Sequence, residues 1–214
     1  MKRPFIGLSA AVLLVALLSC KALKKGFGSS ADESAAVAVA SSAASAPAGS
    51  AAAPTARDEW VLFSSSDARF RLRLPQQPEL ERQTTQTQTG PVELSLLTST
   101  GRSGTVYQIG YSDFPEARLR QQAPGKLLAG AQQGAVTNVQ GKLLSERVLE
   151  VHGHPAREYS VEVIKQGMKL SYWGRMILAD TRLYQLQVIG LASQVKNAER
   201  ERFFESFELL EQKK

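Results

Sequence analysis

The chain has 214 residues, of which 43% are apolar, 21% charged and 7% aromatic, a balance usual for soluble globular proteins. That balance excludes a polytopic membrane protein and a wholly disordered chain, and a single Cys excludes a disulfide scaffold or a multi-cysteine metal site. The formal charge of +6 is unevenly spread: from Asp58 onward 20 basic residues face 18 acidic ones, a net of +2, so the charge excess gives no reason to expect nucleic acid as a partner.

The N-terminus carries a targeting signal. Lys2 and Arg3 precede an apolar run from Phe5 to Leu18, and small Ser19 stands before Cys20, the pattern of a secretory signal peptide. The run has 14 residues, short of the ~20 that cross a bilayer as a helix. Leu17-Leu18-Ser19-Cys20 resembles the lipobox of bacterial lipoproteins. That resemblance implies a diacylglycerol thioether on Cys20, cleavage before it, and N-acylation. Two or three acyl chains, at ~0.8 kcal/mol per buried methylene, anchor a protein without spanning the membrane. Lys21 follows the cysteine, and similarity to enterobacterial sorting implies the outer membrane, facing the periplasm. The alternative is an ordinary secreted protein cut after Ser19, with Cys20 an idle thiol.

Residues 20–57 are expected to form the acylated N-terminus and a disordered tether. Between Ala31 and Ala56, 13 of 26 residues are Ala and 5 are Ser, too little side chain to offset ordering entropy. Ser41-Ser42, Pro47, Gly49 and Pro54 cut the stretch into pieces shorter than the ~12–15 residues an isolated helix needs. The 37 residues from Lys21 to Arg57, as a coil, span roughly 30–37 Å, enough to hold a domain clear of the headgroups. Residues 58–214 then form one domain, long enough to enclose one core.

In chain order, Trp60–Phe63 reads as a strand, followed by the alternation of Phe70, Leu72 and Leu74 with Arg69, Arg71 and Arg73. Glu81–Thr89 has β-favouring threonines without apolar residues and reads as an exposed edge strand or a loop. Val92–Ser99 and Thr105–Ser112 flank a turn at Gly101–Gly104. Pro124 opens a helix with Leu127, Leu128, Ala131 and Ala135 on one face. A meander follows, with strands at Lys142–Val151, Ala156–Ile164, Met168–Leu178 and Arg182–Ile189. A closing helix over Val195–Leu210 would dock Phe203, Phe204, Phe207 and Leu210.

Leu170, Tyr172, Met176 and Leu178 share one parity and Trp173 and Ile177 the other, while Tyr184, Leu186 and Val188 oppose Leu183 and Ile189. A sheet apolar on both faces needs two covering layers. The expected class is α+β, an α-β-α sandwich whose mainly antiparallel sheet is covered by helices.

Several segments together resemble bacterial PsbP-like domains, a superfamily that includes DcrB-like envelope lipoproteins: Arg73-Leu74-Pro75, Tyr111–Pro115, His152–Glu158, Arg182–Leu186 and Phe203–Leu209. The resemblance implies an α-β-α sandwich and members that bind, assemble or stabilise partners, with no shared catalytic residues to carry over. It also implies that His152–Arg157 is a turn positioned by Arg157.

Catalytic signals are thin. There is no G-x-S-x-G elbow and no H-E-x-x-H; Ser193-Gln194-Val195-Lys196 matches S-x-x-K but lacks the companion motifs, and Ser193 is better read as a helix N-cap. Glu150, His152 and His154 share a parity and form a weak candidate for a divalent-metal half-site, although Gly153 and Pro155 mark a turn that would splay the imidazoles; no metal or other cofactor is assigned. Trp173 is expected in the core, the alternative being an aromatic recognition patch. Gln83–Thr89 offers an edge for a partner strand or is simply a solvated edge. Together these features point to a non-enzymatic, membrane-anchored envelope lipoprotein that binds or stabilises an envelope protein, with a carrier of a small apolar ligand as the alternative.

Overall fold

The computed structural model describes residues 60–87 and 90–210; the lipobox, Cys20 and the Ala/Ser-rich stretch lie outside the described residues. In chain order the elements are β1 (Val61–Ser65), β2 (Phe70–Leu74), β3 (Glu79–Thr87), β4 (Gly90–Thr100), β5 (Val106–Asp113), α1 (Glu116–Gln121), α2 (Pro124–Asn138), β6 (Lys142–Val151), β7 (His154–Lys165), β8 (Met168–Ala179), β9 (Arg182–Leu191), α3 (Asn197–Glu205) and β10 (Glu208–Leu209). The class is α+β and mostly antiparallel sheet.

Seven strands form the main sheet in the order β3-β4-β5-β9-β8-β7-β6, every pair antiparallel. β6 to β9 are the expected meander. The edge reading of the Gln/Thr-rich segment holds as far as the described residues go, since β3 is an outer strand with an exposed first half.

Both faces of the sheet are buried, as the two parities require. On one face Tyr172, Met176, Leu178, Leu183 and Ile189 pack with Leu127, Leu128, Ala131 and Ala135 of α2. On the other, Ile177, Tyr184, Leu186 and Val188 pack with Phe70, Leu72 and Leu74 of β2 and with Phe203, Phe204 and Phe207. This second layer is a small sheet, β1-β2-β10, together with α3. The covering layers therefore differ from a pair of helical ones: α2 covers one face, and a mixed layer of strands and helix covers the other.

The C-terminal segment departs most from expectation. The helix does not run from Val195 to Leu210; it spans Asn197–Glu205, and Glu208–Leu209 pairs antiparallel with Phe70–Arg71. Ser206 sets the break: its hydroxyl donates to Phe203 O at 2.9 Å and accepts the Arg73 backbone N–H at 3.0 Å, which ties the helix end to β2. Phe207 then enters the core from outside the helix, its ring 5.7 Å from Phe70 and 5.4 Å from Tyr184. Ser193 is not the N-cap either. That position falls to Lys196, which makes no side-chain cap, and α3 starts at Asn197 because the chain first turns through residues 192–194. The short helix α1 has no counterpart in the sequence reading, six residues being too few for a periodic pattern.

Candidate functional site

In an antiparallel meander the first and third turns fall at one end of the sheet. Here those turns are His152-Gly153, between β6 and β7, and Asp180-Thr181, between β8 and β9. His152 and Gly153 have φ of 50° and 78°, the left-handed pair of a type I′ hairpin turn. The β1–β2 turn joins them at this end: Tyr184 donates its hydroxyl to Ala68 O at 2.7 Å, and Leu210 N–H donates to Arg69 O at 2.9 Å.

The three turns and the end of β10 enclose a half-open pocket of about 470 Å³, whose polar lining is Arg69, His152, His154 and Asp180. Its apolar walls are Ala179, Leu209 and Leu210, with Tyr184 between. Three of those four polar residues have left-handed backbones: Arg69 at φ 59°, His152 at 50° and Asp180 at 53°. Glycine or asparagine would adopt those conformations with less strain, so each side chain is carried at a local cost.

Arg69 Nη1 reaches Asp180 Oδ2 at 3.4 Å, and this is the one side-chain hydrogen bond of that guanidinium among the described residues, although its side chain is only 22% exposed. His152 Nε2 lies 3.0 Å from Phe207 O, so that nitrogen carries the proton and donates. The His154 side chain, half-buried, makes no hydrogen bond or ion pair within the described residues. The pocket thus holds a largely unused guanidinium and a free imidazole beside an apolar wall.

Of the residues singled out in the sequence, His152 and His154 meet at this pocket and Glu150 does not: it sits on exposed β6 opposite Pro155. His152 leaves the strand alternation by entering the turn, so the shared parity no longer aligns the three. Among the described residues no group of three His, Cys, Asp or Glu is placed to hold a metal ion. Lys196 of the S-x-x-K match pairs with Glu199 at 3.0 Å. Arg157, on β7, binds Glu146 of β6 at 3.2 Å and Gln132 of α2, and the hydrogen bonds that Glu146 accepts from Gln132, at 2.6 Å, and from Arg157 hold its carboxyl below its usual range. Trp173 is half-buried against the core, with the Arg200 guanidinium 3.9 Å over its ring. Sequence reasoning missed Arg69 and Asp180. Arg69 reads as the first of three alternating surface arginines, and Asp180 as an ordinary turn residue.

A second cleft of about 420 Å³ lies between Tyr111, Asp113, Arg182 and Arg82. Its main charges are satisfied within the domain, Arg182 gripping both Asp113 oxygens at 2.7 Å and Asp67 O at 2.8 Å. Inside the molecule, Gln185 and Gln187 share the parity of Leu183 and Ile189 on the α2 side. The Gln185 carbonyl oxygen and both polar atoms of the Gln187 carboxamide are buried without hydrogen bonds.

The fold and its sites define an α+β domain on an antiparallel sheet with polar pockets at its strand ends. No family model matches the chain, and no curated protein is similar to it. Among solved structures the chain is similar to cyanobacterial PsbP (CyanoP) from Synechocystis sp. PCC 6803, at TM-score 0.49 and 7% identity over 73% of this chain and 96% of that one. It is also similar to LpqN, involved in cell envelope biogenesis of Mycobacterium tuberculosis, at TM-score 0.37 and 12% identity over 66% and 83% of the two chains. A third is PA94, a protein of unknown function from Pseudomonas aeruginosa, at TM-score 0.30 and 15% identity over 66% and 89% of the two chains. No helix among the described residues is long and apolar enough to cross a membrane.

Proposed function

We propose that the protein is a lipid-anchored component of the bacterial cell envelope, held at the outer membrane through Cys20 and facing the periplasm. Its domain, a PsbP-like α-β-α sandwich with one mixed layer, binds or stabilises an envelope protein without catalysing a reaction. The observation that carries this is the lipobox, with the chain's sole Cys at the position its chemistry requires, ahead of a segment unable to form a core. The domain adds surfaces for a partner: among the described residues both outer strands of the main sheet, β3 and β6, have unpaired edges, and β6 exposes Leu144 and Val148.

A carrier of a small ligand is the second possibility, favoured by the buried and unpaired carboxamides of Gln185 and Gln187, which an enclosed ligand with donors and acceptors would satisfy. Crosslinking with mass spectrometry in intact cells, native chain against Cys20→Ser, separates the two. One recurrent envelope protein captured only by the acylated form supports the anchored partner-binding module. Release of the Ser variant as soluble protein, with no recurrent partner for either form, favours the carrier. Equal membrane retention of both forms overturns the lipid anchor.

A further inference from the structure

We infer that the pocket at the hairpin ends binds a small monocarboxylate with an apolar body, its head held by Arg69 and His154 and its body lying against Leu209, Leu210 and Tyr184. The inference is independent of how the chain is anchored and of which envelope partner it meets.

The volume is the first support. At about 470 Å³ the pocket falls within the ~300–1,000 Å³ of small-molecule sites. Donor count is the second. A guanidinium offers five N–H donors, and Arg69 spends one of them on Asp180, at the long distance of 3.4 Å. The remaining donors suit a planar carboxylate, which guanidinium binds in a fork. His154 adds an imidazole with no partner among the described residues, whereas His152 is committed to Phe207 O and serves as a wall.

Charge selects a monoanion. The titratable and charged groups facing the pocket are Arg69 from the β1–β2 turn, His152 and His154 from the β6–β7 turn, Asp180 from the β8–β9 turn and Tyr184 from β9. With neutral imidazoles Asp180 offsets Arg69, and an arriving carboxylate shares the guanidinium with it. A phosphate dianion would set two further negative charges beside Asp180. The walls select the body, because Ala179, Leu209 and Leu210 gain nothing from an inorganic ion but lose water to an aliphatic chain.

The chain has only two histidines, and both line the pocket, so their ring signals report on it directly. The test is an NMR titration of the full chain carrying Cys20→Ser, purified without detergent, with octanoate as probe and octanol and inorganic phosphate as controls. Octanoate is expected to shift both histidine ring signals saturably, and neither control to do so. Arg69→Asn, which keeps a residue tolerant of the left-handed backbone, should weaken octanoate about tenfold, the value of one charge-assisted hydrogen bond. His154→Gln, which removes no side-chain hydrogen bond or ion pair among the described residues, should weaken it severalfold and keeps the test open if Arg69→Asn fails to fold. No saturable shift, equal shifts with octanol, tighter binding of phosphate, or undiminished octanoate binding in a folded variant would each overturn the inference.

Discussion

Arg175 and Glu158 stand opposite each other on β8 and β7, guanidinium nitrogen to carboxylate oxygen at 2.7 Å, with the arginine side chain only 5% exposed and the glutamate 13%. The same guanidinium donates to Phe204 O at 3.2 Å and lies 4.8 Å over the Phe204 ring, so it neutralises the C-terminal end of α3 while fixing that helix to the sheet. Removing it leaves Glu158 mostly buried with Arg147 as its remaining ion-pair partner. Arg175→Met is expected to cost about 3 kcal/mol in urea unfolding, the lower end for a broken buried pair. The double variant with Glu158→Leu should recover most of that loss, since well-packed apolar residues replace buried pairs at little cost.

Tyr159 lies across Gly174 of the neighbouring strand, so close that a Cβ at that position would enter the ring. Its hydroxyl is buried beside that of Tyr172 and makes no well-formed hydrogen bond, and burial raises its pKa well above the usual phenol value. Tyr159→Phe should therefore leave stability unchanged or raise it by up to about 1 kcal/mol, because a buried unsatisfied group is removed. Gly174→Ala should destabilise by at least ~1–3 kcal/mol through overpacking. Thermal unfolding of the two variants side by side checks both signs.

Asp113 carries the acid sensitivity of the second cleft. Its hydrogen bonds to Arg182 hold the carboxyl below its usual 3.8, ahead of the opposing effect of burial. A carboxyl whose folded value is depressed contributes stability that is fully present above the unfolded value and lost as pH falls through the folded one. The loss therefore begins as pH drops toward about 3.8 and is complete below the folded value. Since Asp113 is 54% exposed, solvent screening limits the contribution to about 0.5–1 kcal/mol. Asp113→Asn should flatten that part of the stability profile between pH 5 and pH 2, measured by urea unfolding, and an unchanged slope would reject the assignment.

The strands of the meander were legible because their two apolar parities describe a sheet covered on both sides, and Lys142–Val151 matches its strand at both ends. The C-terminus was not, because Phe203, Phe204, Phe207 and Leu210 fit a helical period that Ser206 interrupts by bonding to β2, a contact with a residue 133 positions away. The candidate pocket was half legible. Two histidines around a Gly-containing turn mark themselves, and a meander places the Asp180 turn at the same end. Arg69 could not be placed, since strand alternation assigns it outward while its left-handed backbone, one residue before β2, turns it to the pocket.

The β7–β8 turn, Gln166-Gly167, sits at the opposite end of the meander and isolates the cost of a left-handed backbone from any site. Gln166 has φ 51° and Gly167 φ 75°, a type I′ turn in an exposed position. Asn-Gly is the favoured pair for this geometry because asparagine tolerates the left-handed region better than glutamine. Gln166→Asn should stabilise the domain by about 0.5–1 kcal/mol, read as a higher urea midpoint at unchanged slope. The equivalent change at His152, φ 50°, gains the same backbone relief but loses the ring's hydrogen bond to Phe207 O and should show no net gain. Equal stabilisation at both positions would mean that the His152 contact contributes nothing to holding the C-terminal strand.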